Sequence, residues 1–172
     1  MNKIEIVDNE YVKIYMKHNR VGFFDIEFLD VVKQYHWCSC KDGNTYYMKA
    51  YAKIDGKRTN IKLHRLIMGS PEGKVINHKD HNGLNNRKYN LEICTHVENS
   101  RYANLSKVNT SGYKGVYWHK RGAVWCAKIK YCDKAIHLGS FKNKIDAAKA
   151  YNEAALKYHG QFALLNVIEQ ND

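Results

Sequence analysis

Three short runs of this 172-residue chain carry side chains that could do chemistry together: Val75-Ile76-Asn77-His78-Lys79-Asp80, then Asn90-Leu91-Glu92-Ile93-Cys94-Thr95, then Val97-Glu98-Asn99. They put His78, Asn90 and Asn99 on what reads as a strand, a second strand and a helix. An imidazole of near-neutral pKa can take a proton from water, and amide oxygens suit a hard divalent cation. One-metal hydrolysis of a phosphodiester needs those types, because the leaving 3′ oxygen must be stabilised while water is activated in line. Taken singly, a histidine in a polar turn is a solvated side chain and an Asn-rich turn is a turn. The joint spacing between the predicted elements is what points to chemistry.

The elements that must position these groups can be read around them. Lys74 to Asn77 forms the first strand, His78 to Lys88 a long polar turn, and Asn90 to Cys94 the second strand. A helix follows from about His96, where Thr95 and Glu98 make a Thr-x-x-Glu capping box that sets Asn99 in the first turns, able to face the first strand. Asp80, Asn82, Asn85 and Asn86 offer local backbone hydrogen bonds, and Gly83 supplies a positive φ, so the turn can be rigid without a core of its own. Upstream, the first 60 residues alternate in strand fashion, as in Lys3 to Val7 and Tyr47 to Ile54, with Asp42-Gly43 and Asp55-Gly56 as turns. Asp25 to Gln34 spaces Ile26, Leu29 and Val32 for one short helix. After a strand from Thr59 to Leu63, His64 to Met68 reads as a short helix stopped by Gly69 and Pro71.

At these residues the sequence resembles the HNH endonucleases, in particular the homing branch of phages and mobile introns, over about residues 60–104. The resemblance implies a ββα-metal unit in which His78 is the general base, Asn90 holds the loop and the histidine in place, and Asn77 with Asn99 binds one divalent ion. It also implies Mg²⁺, with Mn²⁺ as the alternative. Many relatives carry aspartate at position 77, and some end the motif with histidine at 99. Two amide oxygens bring no charge to the ion, so metal binding should be weak until DNA phosphates join it. His64 and Arg65 match the family's helix upstream of the motif, where packing or a phosphate contact is the expected role; His81 and His96 lie near the site.

Past the polar stretch Ser100 to Gly112 the pattern changes, and a domain boundary at 105/106 is expected. Tyr113 to His119, Val124 to Tyr131 and Ala135 to Phe141 alternate as a three-stranded meander. A helix from Lys144 to Tyr158 follows, with Gly160 as its cap. The runs Ser111-Gly112-Tyr113-Lys114-Gly115-Val116, Trp125-Cys126-Ala127-Lys128-Ile129, Leu138-Gly139-Ser140-Phe141, Asp146 to Asn152 and Leu165-Asn166 resemble the APETALA-type (ethylene-response-factor) DNA-binding domain. That resemblance implies a sheet in the major groove with Lys114, Tyr117, His119, Lys128, Lys130 and His137 at or near DNA-facing places. Lysine, tyrosine and histidine replace most of the family's arginines, which favours phosphate contacts over base reading.

The fold class expected is therefore α+β: residues 1–105 as a β-rich lead-in plus nuclease unit, and residues 106–172 as a sheet packed on one helix. Composition agrees with double-stranded DNA as partner. Lys and Arg number 28 against 17 Asp and Glu, a formal +11. The second domain is the more basic for its length, with 11 basic against 5 acidic residues where the first holds 17 against 12. The absence of an 18-residue apolar run and of a signal-peptide pattern argues against a membrane span or secretion, and a cytoplasmic setting is expected. Five cysteines without paired spacing read as small buried hydrophobes. Zinc is not expected at Cys38-Ser39-Cys40, which is too tightly spaced for a structural site. Monomer and homodimer stay equally open. The competing function is a non-catalytic DNA-binding regulator that keeps the nuclease unit only as a scaffold.

Overall fold

The structure is a computed structural model that describes residues 1–103, 105 and 108–168, with the side chain of Ile54 left aside. Residues 104, 106 and 107 of the polar stretch, beside the expected 105/106 boundary, lie outside the described residues. The chain divides into two compact units, Met1–His96 and Val97–Asp172.

The first unit is built from small antiparallel sheets. Strands β1 (Lys3–Val7), β2 (Tyr11–Met16) and β3 (Arg20–Asp25) form one meander. Its tight turns place Asp8-Asn9 and His18-Asn19 at positive φ, a conformation that Asn and Asp tolerate because their short polar side chains bond locally. Strands β4 (Trp37–Asp42), β5 (Thr45–Ile54) and β6 (Lys57–Lys62) form a second meander, and β7 (Val75–His78) pairs with β8 (Leu91–Cys94). The helix expected over residues 25–34 is a 3-10 turn at Ile26–Phe28 running into α1 (Leu29–Lys33), and α2 spans Leu63–Ile67. One core joins these pieces: Val12, Ile14 and Phe24 from the first sheet, Trp37, Met48 and Ala50 from the second, Val32 and Leu63 from the helices, and Ile76 and Leu91 from the β7–β8 pair. Burying those side chains, at about 1.5–3 kcal/mol each, seats the hairpin.

The lead-in sheets also grip the loop between β7 and β8. Phe23 N–H donates to the Leu84 carbonyl at 2.9 Å and Asn86 N–H to the Phe23 carbonyl at 2.7 Å, so this stretch adds itself to the edge of β3. Arg87 pairs with Asp25 at 2.9 Å, and Gly83 N–H donates to Thr45 Oγ1 at 3.2 Å. Gly83 does not adopt the positive φ expected of it; His81 does, at 60°. Glycine is needed at 83 for closeness instead, since a Cβ there would lie 2.5 Å from the Tyr46 carbonyl oxygen and 2.7 Å from the Tyr47 ring.

Helix α3 (His96–Tyr102) begins at the residue expected from the sequence, and all but its first residue belong to the second unit. Strands β9 (Val116–His119), β10 (Val124–Tyr131) and β11 (Lys134–Phe141) form the expected meander, and α4 (Lys144–His159) packs on it. The strand expected from Tyr113 starts only at Val116. Asn109 and Ser111 side chains bond the backbone of Gly112 and Tyr113 into turns, and Gly115 takes φ 75° where a Cβ would strike the Tyr151 ring. Ala147, Ala148, Tyr151, Ala154 and Ala155 face the sheet, against Val116, Ala127 and Ile129. Asn143 caps the start of α4 by accepting from Ile145 N–H, and Gly160 ends it at φ 56°. Among the described residues no helix is long and apolar enough to cross a membrane.

Candidate active site

His78 closes β7 and is 5% exposed. Its Nε2 lies 3.3 Å from Oδ1 of Asn86, a residue with no exposed surface. The Asn86 amide nitrogen donates to the Leu84 carbonyl at 3.1 Å, which fixes the oxygen as the end facing the ring. An amide oxygen only accepts, so Nε2 must carry the proton and Nδ1 holds the lone pair. His64, also 5% exposed, stands perpendicular to His78 with ring centroids 5.1 Å apart, and Tyr47 flanks both at 5.4 and 5.6 Å. Burial holds His64 down to about 3. Burial likewise pushes His78 below the usual imidazole range, although its bond to Asn86 and the nearby Asp80 pull part of the way back. Both rings are therefore neutral at pH 7.

Asn90 ties the loop to the strand below it. Its Oδ1 accepts from Asp80 N–H at 3.0 Å, its Nδ2 donates to Asp80 Oδ1 and to the Asn85 carbonyl, and its own carbonyl accepts from Lys79 N–H at 2.9 Å. Asp80 also accepts from Asn82 N–H and from the Asn85 amide at 2.8 Å. Its burial alone would raise the pKa of the carboxyl, but these donors outweigh it and hold the group below the usual range. Asp80 thus serves the loop.

Asn77, 7% exposed, leaves its Nδ2 without a hydrogen-bond partner. The structure brings Asn77, His78 and Asn90 together on one hairpin, whereas Asn99 is an exposed residue of α3 in the second unit. His64 is buried against His78, and Arg65 donates to the Pro71 carbonyl at 3.4 Å. Sequence reasoning missed Tyr47 as a wall of the site and saw Asn86 only as a turn residue. No local pattern marks either one, because both reach His78 through the folded sheets. Among the described residues no group of three or more His, Cys, Asp and Glu side chains gathers as a metal cage. Cys94 and Cys126 are buried, Cys132 is exposed, and the half-buried Cys38 and Cys40 hold their sulfurs 3.5 Å apart.

In the second unit the ladder register pairs Tyr117 with Cys126, His119 with Val124, and Lys128 with His137, and strand alternation adds Lys130. These side chains share the face turned away from α4. Lys128 lies 4.8 Å over the Tyr117 ring, and His119 Nδ1 accepts from Gly122 N–H at 3.1 Å. Lys130 pairs with exposed Asp133 at 3.1 Å, a contact worth little in water. Lys114 leaves that face: its ammonium donates to the Arg101 and Ala103 carbonyls, and burial pushes it down to about 8.

A family model described as HNH endonuclease matches residues 61–101, which contain this hairpin and α2. An uncharacterized HNH endonuclease, L560, of Acanthamoeba polyphaga mimivirus is 30% identical over 155 residues, 86% of this chain and 75% of that protein. The chain belongs to the HNH endonuclease family. Protein 3.8 of Escherichia phage T7 is 32% identical over 93 residues, 54% of this chain and 76% of its own length. The AP2-like ethylene-responsive transcription factor TOE2 of Arabidopsis thaliana is 38% identical over 72 residues, 42% of this chain but 14% of that protein. No solved structure matches.

The neutral histidine pair makes stability acid-sensitive with a definite sign. The unfolded chain protonates its histidines as pH falls below about 6.5, while folded His64 stays neutral down to about 3, so stability present above 6.5 is lost progressively toward 3. His64→Phe keeps an edge-on ring without the titration. Between pH 6 and 4 its unfolding free energy, from urea melts, should fall less steeply than wild type by up to about 1.4 kcal/mol per pH unit. Identical slopes would contradict the assignment.

Proposed function

We propose that the protein is a metal-dependent DNA endonuclease of the homing type, hydrolysing phosphodiester bonds in duplex DNA and held on its substrate by the second unit. The observation that carries this reading is the neutral His78, bonded at Nε2 to Asn86, with Nδ1 left as the basic nitrogen. Nδ1 takes the proton of the attacking water. Asn90 and Asp80 keep the loop rigid, so the ring does not have to be ordered during the reaction. Tyr47 and His64 exclude water from one side of it.

The residues present fit a hard divalent ion with few protein ligands. Asn77, immediately before His78 in β7, is buried; its unpartnered atom is the amide nitrogen, which leaves the amide oxygen as the end a hard ion would take, and Mg²⁺ commonly keeps several waters and takes substrate phosphates as ligands. Asn77 and Asn99 would hold it, Asn99 on the strength of the motif. When bound, the ion supplies charge stabilisation for the leaving 3′ oxygen, with Mn²⁺ as an alternative to Mg²⁺. The basic face of Tyr117, His119, Lys128, Lys130 and His137, together with the similarity to plant transcription factors, supports an APETALA-type tether on DNA. Two of the relatives are viral, which supports an enzyme acting in the cytoplasm of an infected cell. The same transcription-factor similarity favours the second reading, a DNA-binding regulator without catalysis.

Supercoiled plasmid incubated with purified protein in Mg²⁺ or Mn²⁺ separates the two. Wild type should nick it, and His78→Ala, folded by circular dichroism, should be slower by at least about 100-fold. Metal-dependent nicking absent from wild type, even on the flanks of its own gene, would sink the enzyme reading. For the tether, Lys128→Gln with Lys130→Gln should reduce the slope of log affinity against log salt by about two. An unchanged slope would remove this face from the interface.

A further inference from the structure

The β7–β8 ladder sets Asn77 directly opposite Glu92. Residues paired in this way project from the same face with Cβ atoms about 5 Å apart. Two of the four buried side-chain atoms that lack a hydrogen-bond partner among the described residues sit at this pair, Nδ2 of Asn77 and Oε2 of Glu92. One is a donor and the other an acceptor, so each lacks what the other offers. The core does not need either group: the hairpin is anchored by Ile76 and Leu91. Buried polar atoms left unsatisfied are costly and call for a cause.

We propose that Glu92 is a positioning residue for the cation site: when the ion binds, its carboxylate accepts from the Asn77 amide N–H₂, a bond neither group makes otherwise, and so commits the amide oxygen to the ion. This deepens the nuclease reading and rests on it. The two ends of an amide are nearly the same shape, and a lone Asn77 can present either one. An acceptor behind the nitrogen removes that ambiguity. It also supplies the negative charge that an Asn-Asn ligand pair lacks, one hydrogen bond away from the metal, where partners of ligands commonly set affinity by 10- to 100-fold. Asp80 does not fill this role, because both of its oxygens already accept from the loop.

The test is Mn²⁺ affinity of the full-length protein with a short duplex, read as free Mn²⁺ by electron paramagnetic resonance and corrected for duplex alone. Glu92→Gln should bind Mn²⁺ at least about tenfold more weakly, and Glu92→Asp should recover part of the loss. Without metal, Glu92→Gln should melt no lower than wild type, because a buried carboxylate oxygen without a donor has been replaced. A lower melting temperature with unchanged Mn²⁺ affinity would mean a structural residue. Equal affinities in wild type and Glu92→Gln overturn the proposal and leave the nuclease reading standing; wild type that binds no Mn²⁺ on DNA overturns both.

Discussion

A histidine that is to accept a proton at neutral pH must be dry enough to stay uncharged and still have its other nitrogen bonded, and the first unit gives His78 both conditions. The fully buried Asn86 supplies the bond. Asn86 is in turn held by the edge of β3, through its N–H to the Phe23 carbonyl, and β3 is held by the core it shares with Trp37, Met48 and Leu63. Remove the lead-in sheets and the loop loses its backbone partners. They position the His78 loop even though they lie almost wholly outside residues 61–101, where the family model matches.

Electrostatics divides the polar groups of the hairpin between two tasks. Asp80 is enclosed by donors and stays ionised, which makes it a brace for the turn. The face that carries Asn77 keeps polar atoms unpartnered, and a folded protein tolerates such atoms where a ligand or a catalytic role compensates for them. Folding alone would favour the reverse arrangement, with Asn77 and Glu92 satisfied.

Much of this was legible in the sequence, for identifiable reasons. The hairpin, the start of α3 after Thr95 and the end of α4 at Gly160 rest on local signals, namely alternation, a capping pair and a glycine cap. The meander of the second unit follows from period-two alternation, whereas Tyr117, Lys128 and His137 are singled out through the resemblance to a DNA-binding family, and the ladder register puts them on one face. Contacts between distant segments left no such trace. Tyr47 against His78 and His64 against His78 arise only when β5 and α2 pack on the hairpin. Lys114 looked like a sheet residue, yet the turns set by Asn109, Ser111 and Gly115 carry it to the Arg101 and Ala103 carbonyls. Gly83 was read for its φ when its importance is lack of bulk, and only the position of Tyr47 reveals that.

The central claim is that the fold delivers His78 as a neutral ring with its proton on Nε2 and its lone pair on Nδ1. Nitrogen-15 chemical shifts of the imidazole, from long-range ¹H–¹⁵N correlation spectra at pH 7, measure this directly. The account predicts a neutral Nε2–H tautomer at pH 7 that is still the major form at pH 6.5. A ring protonated on both nitrogens at pH 7, or one carrying its proton on Nδ1, would contradict it.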